Sequence, residues 1–280
     1  MKTFEGRTAV ITGAGSGFGL EVARIAAREG MNVVLADVQV DALERALDEM
    51  HTLGAQALPY PLDVSKAVEV EALAKATVDR FGAPHVVFNN AGVGFGGLIW
   101  EHSAQDWEWV MGVNLMGVAH GVRVFTPLML DAAARDGAYE GHIVNTASMA
   151  GLLNPPNMGV YNVSKHAVVS LTETLYQDLS LVTDRISASV LCPFFVPTGI
   201  HQSHRNRPGA LSADGVAPTK SQRIAQAMTA KAVESGKVSA AQVAGLVFDA
   251  MRKKRFYIYS HPKALASVQT RLEDIMLQRN

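Results

Sequence analysis

The sequence predicts a single-domain α/β fold: a doubly wound parallel sheet of about seven strands with a helical lid over one end. Three observations predict it. Short apolar runs alternate along the chain with longer stretches whose apolar residues recur every three or four positions. The short runs are apolar on successive residues, the pattern of strands covered on both faces. A glycine-rich turn separates the first run from the first helical stretch, and 280 residues at 48% hydrophobic content suffice for one sizeable core.

In order, Thr8 to Thr12 reads as the first strand and Phe18 to Glu29 as the first helix. Asn32 to Asp37, Val40 to Leu53, Ala57 to Val64, Lys66 to Phe81 and His85 to Asn89 continue the alternation of strand and helix. The next helical stretch, Ser103 to Ala134, opens on Ser103-Ala-Gln-Asp106, where a hydroxyl three residues before a carboxylate satisfies free amides at a helix start. His142 to Thr146, Asn157 to Leu181 and Ile186 to Leu191 follow as strand, helix and strand. Residues 193–238 break the rhythm, being rich in Pro, Gly, Ser and His before a helical stretch from Ser221 to Ser235. Their place after a strand's carboxyl end, where ligands bind in such sheets, reads as a lid. Ser239-Ala-Ala-Gln242 opens a helix to Arg252, and Phe256 to Ser260 is the last strand.

Composition narrows the function. A net charge of -1 supplies no excess to attract a nucleic acid backbone or an anionic membrane. One cysteine, Cys192, allows no internal disulfide framework and fits a reducing cytoplasm. The opening residues MKTFEGRTAVITG do not read as a signal peptide, and no run of about 18 uninterrupted apolar residues occurs, so a soluble, cytoplasmic protein is expected. His201 and His204 have no further ligand at metal spacing, and no metal is expected.

The first turn, Thr12-Gly-Ala-Gly-Ser-Gly-Phe-Gly19, suits a dinucleotide. Gly13, Gly17 and Gly19 allow a tight turn and close approach of backbone amides, with Ser16 and Phe18 between them, so that a pyrophosphate can sit at the positive end of a helix. Asp37 closes the second strand 18 residues beyond Gly19, where a carboxylate can accept from an adenosine ribose. A 2'-phosphate would be repelled by Asp37, and neither Ser16 nor Val38 offers it a positive charge, so the expected cofactor is NAD. The plainer reading of Asp37 is a helix-capping carboxylate.

With Asn89-Asn90-Ala91-Gly92, Tyr161-Asn-Val-Ser-Lys165, and Ser148 standing 13 residues before Tyr161, the chain resembles the short-chain dehydrogenase/reductase family over essentially its whole length. The resemblance implies a Rossmann fold and an NAD-dependent oxidoreductase interconverting a secondary alcohol and a ketone. It implies Asn114, Ser148, Tyr161 and Lys165 as the catalytic set, Asn114 holding a water that links Lys165 to solvent and Ser148 orienting the substrate oxygen. It further implies that Asp63 and Val64 flank the adenine, that Asn89, Asn90 and Gly92 support the cofactor with Val196, and that Thr198 holds the nicotinamide carboxamide. A homotetramer or homodimer is the family expectation.

The chemistry also stands on the residues. Oxidising an alcohol needs a base for the hydroxyl proton, and free tyrosine, with a pKa of ~10, is a poor one. Lys165, four residues after Tyr161, shares its helix face and is expected, with the nicotinamide cation adding to its charge, to lower that pKa by ~2 to 3 units, about 3 to 4 kcal/mol. Phe194 stands after Pro193 where the family commonly has glycine; it is either core packing or, with Phe195, a wall of the substrate pocket. Phe95, Met149, Leu152, Leu153 and the lid complete an apolar pocket for a hydrophobic or aryl small-molecule alcohol or ketone. Ile200 to Pro208 is similar to the lid of family members that oxidise benzylic alcohols of lignin-derived aryl ethers. A non-catalytic NAD-binding scaffold or sensor, and an epimerase or dehydratase on the same fold, are the competing functions.

Overall fold

The computed structural model describes residues 1–212 and 217–279. Its sheet has seven strands: β1 (Thr8–Thr12), β2 (Asn32–Asp37), β3 (Ala57–Pro61), β4 (Val86–Asn89), β5 (Gly141–Thr146), β6 (Ile186–Cys192) and β7 (Tyr257–Tyr259). All pairings are parallel, in the order β3-β2-β1-β4-β5-β6-β7. The order reverses between β1 and β4, which opens a crevice at their carboxyl ends.

The described residues form nine α-helices: α1 (Gly17–Arg28), α2 (Val40–Thr52), α3 (Ala67–Phe81), α4 (Ala104–Met111), α5 (Gly117–Arg135), α6 (Gly159–Val182), α7 (Lys220–Glu234), α8 (Ala240–Lys253) and α9 (Leu265–Leu277). Alternate strand residues feed two cores, which is why the runs are apolar throughout. Ala9, Ile11, Val33 and Leu35 face Val22 of α1, Leu43 of α2 and Phe248 of α8. Val10 and Val34 face Leu73 of α3, Phe125 and Met129 of α5 and Leu175 of α6.

Beyond shifts of a residue or two at element ends, three features differ from the sequence expectation. Strand β3 stops at Pro61, not Val64, because Asp63 turns the chain: its carboxylate accepts from the Ser65 amide at 3.0 Å, while its own amide donates to Glu69 at 2.7 Å. The stretch from Ser103 is one continuous helical path, Ala104–Arg135, but a π-helical turn (Gly112–Met116) interrupts it. That path is long and apolar enough to span a membrane by length and composition; here Val110, Val118, Phe125 and Met129 are spent on the core. Helix α9 lies outside the elements enumerated from sequence, and it leaves Leu272, Ile275, Met276 and Leu277 exposed.

The capping boxes at Ser103 and Ser239 form with both reciprocal hydrogen bonds. A third, Thr219 with Gln222, starts α7. In the lid, a 3-10 helix (Gly199–Asn206) precedes α7, and residues 213–216 of the expected lid lie outside the described residues.

Candidate active site

The glycine turn is shaped by its own geometry. Gly13 and Gly17 have φ of +66° and +55°, left-handed values open to glycine at no steric cost. A Cβ on Gly19 would lie 2.1 Å from the Gly13 carbonyl oxygen, so the glycine at 19 lets the first helical turn close against the loop. Ser16, the residue before α1, makes no side-chain cap, and no acidic residue occupies the first turn, so the helix's opening amides face the crevice uncompensated.

The carboxylate of Asp37 holds this turn in place. Its Oδ2 accepts from the Gly15 amide at 2.8 Å and its Oδ1 from the Gln39 amide at 2.9 Å, ahead of α2. Asp37 is not a cap of α2, since it accepts from Gln39, the residue before the helix, and it lines the cleft with acceptor capacity left on each carboxylate oxygen. At the end of β4, Asn90 donates to the Thr12 carbonyl at 3.1 Å while its amide donates to the Thr12 hydroxyl at 2.9 Å. Thr146 donates to Asn90 at 3.3 Å, so the carboxyl ends of β1, β4 and β5 are tied side by side.

A cleft of about 620 Å³ runs over these ends. Gly13, Ser16, Gly17, Phe18, Asp37, Val38, Asp63, Val64, Asn90, Gly92, Tyr161, Lys165 and Thr198 line it, as the sequence places them. Open amides at a helix start, a ribose-height carboxylate and an apolar floor fit a dinucleotide. Four of the expected residues stand elsewhere. Gly19 lies behind the loop it closes. Asn89 points into the interior, donating to Asn145 at 2.8 Å, and steadies the strand end from beneath. Val196 is buried in the core beside α1 and borders the neighbouring cavity, not the cleft, because the backbone after Pro193 carries Phe194 and Phe195 outward instead. Asn114 is fully buried within the π turn, its Oδ1 accepting from the Val93 amide at 2.8 Å and its Nδ2 donating to Ser164 at 3.1 Å.

The second cavity, about 740 Å³, adjoins the first. Ser148, Met149, Leu153, Phe95, Phe194 and Phe195 line it with lid residues His201 and His204; Leu152 does not. Phe194 is thereby a pocket wall and not core packing. It takes a negative φ, is half-exposed, packs edge-on against Phe195 with centroids 4.8 Å apart, and donates its amide to Ser260 at 3.0 Å. Segment 260–261 beyond β7 thus holds the wall, a contact that no local sequence pattern announces. Glu101 pins the start of α7 by accepting from Thr219 at 2.6 Å and from Ser221.

The two cavities share Phe18, Tyr161, Pro193, Thr198 and Ile200. Tyr161 and Lys165 sit one turn apart on α6 and both are buried. Lys165 donates to the Thr146 carbonyl at 3.0 Å and its Nζ stands 5.7 Å from the centre of the Tyr161 ring. Burial pulls the ammonium down to about 8. Burial likewise pushes the Tyr161 phenol above its ordinary value, opposed by a hydrogen bond with Ser148. The chain's own residues therefore do not lower the phenol: Lys165 is anchored to β5, not to the phenol oxygen, and the nicotinamide charge on which the sequence expectation also drew comes only with the cofactor. Thr12 and Thr146, missed from sequence, place Asn90 and Lys165; their position as the last residues of strands flanking the crevice was the available signal.

Comparison with known proteins agrees with this geometry. Residues 7–209 match the short chain dehydrogenase family model. The chain is 32% identical over 278 residues, 99% of its length and 95% of the relative's, to the CLA biosynthesis dehydrogenase/reductase of Lactiplantibacillus plantarum. It is 35% identical over 219 residues, 77% of its length and 68% of the relative's, to the C alpha-dehydrogenase of Sphingobium sp. (strain NBRC 103272 / SYK-6). Among solved structures, a short chain dehydrogenase/reductase from Burkholderia phymatum in complex with NAD superposes with a TM-score of 0.96 at 55% identity, covering 100% of this chain and 98% of that one. The strand order, the two adjoining cavities and these matches place the chain in the short-chain dehydrogenase family of oxidoreductases.

Proposed function

We propose that this enzyme is an NAD-dependent oxidoreductase that interconverts a secondary alcohol and a ketone on a hydrophobic or aryl substrate, with Tyr161 as acid and base. The meeting of the two cavities at Tyr161 carries the reading: a dinucleotide in the first and an apolar substrate in the second share that side chain as a wall. NAD, when bound, supplies the hydride acceptor. Asp37 selects it over its 2'-phosphorylated form by charge, and the NAD complex of the Burkholderia phymatum relative supports the choice.

Ser148 and Tyr161 present two hydroxyls toward one substrate oxygen. Because burial raises the phenol, Tyr161 holds its proton at neutral pH and is ready to donate it to a ketone; oxidation requires the reverse transfer. Lys165, fixed by Thr146, keeps a positive charge on the cofactor side of the same helix face. Phe95, Phe194 and Phe195 exclude water and receive the apolar body of the substrate. The C alpha-dehydrogenase relative supports aryl alcohols as the class to try first.

A panel of aryl and bulky aliphatic secondary alcohols, followed by NADH absorbance, tests the proposal. Turnover of an aryl member with NAD is the expected result; labelled NADH that exchanges no hydride with any member would instead favour epimerisation or dehydration. We further propose that a second copy of the chain covers the exposed apolar face of α9, to be measured by light scattering.

A further inference from the structure

The lid's 3-10 helix, Gly199–Asn206, stands between the two cavities and turns different residues to each. His201 and His204 line the substrate cavity, whereas Arg205 lines the dinucleotide cleft. A Cβ on Gly199 would stand 3.1 Å from Arg205 Nη2, so the guanidinium is folded back over the start of the lid through space that glycine leaves open. Next to it, the Thr198 side chain packs on Gly17, where a Cβ would be 3.4 Å from Thr198 Cβ and Cγ2. The lid start over which the guanidinium folds thus packs, through Thr198, on the opening turn of α1, whose amides carry neither a side-chain cap nor a first-turn carboxylate.

Arg205 has no carboxylate partner among the described residues; its one hydrogen bond is Nη1 donating to the neutral Gln202 Oε1 at 2.7 Å. Two other cations line the cleft. Lys165 is spent on Thr146, and Lys66 stands beyond Asp63. A pyrophosphate over Gly17 would bring two negative charges to a place where the chain offers only backbone partial charges and this guanidinium.

Resting on the NAD reading above, we infer that Arg205 is a pyrophosphate ligand, reaching from the lid to the dinucleotide's phosphates and tying lid position to cofactor occupancy. A planar guanidinium can meet two phosphate oxygens at once while α1 serves the others, and the lid face bearing His201 and His204 is then fixed against the substrate cavity.

Fluorescence titration of the full chain with NADH, and calorimetry with ADP-ribose and with adenosine, tests this without turnover. Arg205→Gln should weaken NADH and ADP-ribose about tenfold at low salt, leave adenosine within about twofold, and lose most of its effect in about 0.5 M salt. Arg205→Lys should recover part of the affinity, since the charge but not the fork is kept. Equal NADH affinity in wild type and Arg205→Gln would overturn the assignment while leaving the NAD reading intact. An equal loss for adenosine would also overturn it, by showing a general disturbance of the cleft. Absence of NADH binding by the wild type would defeat both readings.

Discussion

At the scale of single residues, the site sets two groups against their ordinary behaviour by the same means. Burial raises the Tyr161 phenol and lowers the Lys165 ammonium to about 8, so both favour their neutral forms more than they would in water. Alcohol oxidation needs Tyr161 without its proton, a form that the raised phenol makes scarce near neutrality, so kcat/KM for oxidation should climb with pH from about 6 to 9 while ketone reduction, which uses the protonated phenol, stays level. An oxidation profile that stays flat over this interval would remove the phenol from the proton path. Asp37 serves the loop through Gly15 as well as the cofactor, so Asp37→Ser should weaken NAD while relaxing discrimination against NADP at least about tenfold. An unchanged ratio of kcat/KM values for the two cofactors would mean that selection lies elsewhere. These side chains were readable from sequence because their chemistry depends on residue type and local spacing. The strength with which burial opposes Lys165 at the phenol was not, because it depends on how much solvent the surrounding elements remove.

At the scale of elements, the strands and helices followed directly from periodicity, and Ser103 and Ser239 announced their helices through capping boxes that do form. What the pattern does not carry is a change of helical pitch. The π turn at Gly112–Met116 keeps the apolar rhythm while turning Asn114 inward to clamp Val93, so the expected helix was found and its interruption was not. The end of β3 was likewise hidden, because it depends on the Asp63 side chain and not on hydrophobicity. Further along the same path, α5 approaches β4 so closely that a Cβ on Gly121 would fall 2.0 Å from Asn89 Oδ1. Asn89 is itself held by Asn145, so Gly121→Ala should force helix and strand apart and cost about 1 to 3 kcal/mol. Thermal unfolding reads this directly: a lower Tm is expected, and an unchanged one would show that Asn89 gives way freely.

At the scale of the whole molecule, the reversal of strand order puts the crevice, the lid and α6 at one end of the sheet, and the other end is left to stability. There, burial holds His142 down to about 3 and partial burial holds His85 down to about 4, so both stay neutral. An unfolded chain protonates both below about pH 6.5 while the folded one does not, so stability is lost as the pH falls from about 6.5 toward 4. His142 should contribute up to ~1.4 kcal/mol per pH unit over that window, and the more exposed His85 less, being screened by solvent. Urea titrations at several pH values should show the loss, and His142→Gln should reduce its slope; an unaltered slope would clear His142 of any part in it.

The fold class was legible because a doubly wound sheet repeats one local pattern. The substrate cavity was only partly so: Phe95, Met149 and Leu153 lie near recognisable motifs, but Phe194 is held by Ser260 from the far edge of the sheet and the cavity's roof by Glu101 through α7. The central claim is that the meeting point of the two cavities is a proton-transfer site. Tyr161→Phe, which keeps the ring and removes the hydroxyl, tests it when NADH affinity and turnover of an accepted alcohol are measured on one preparation. The variant should bind NADH as wild type does and turn over at least about 100-fold more slowly. Turnover within about tenfold of wild type would contradict the role given to Tyr161.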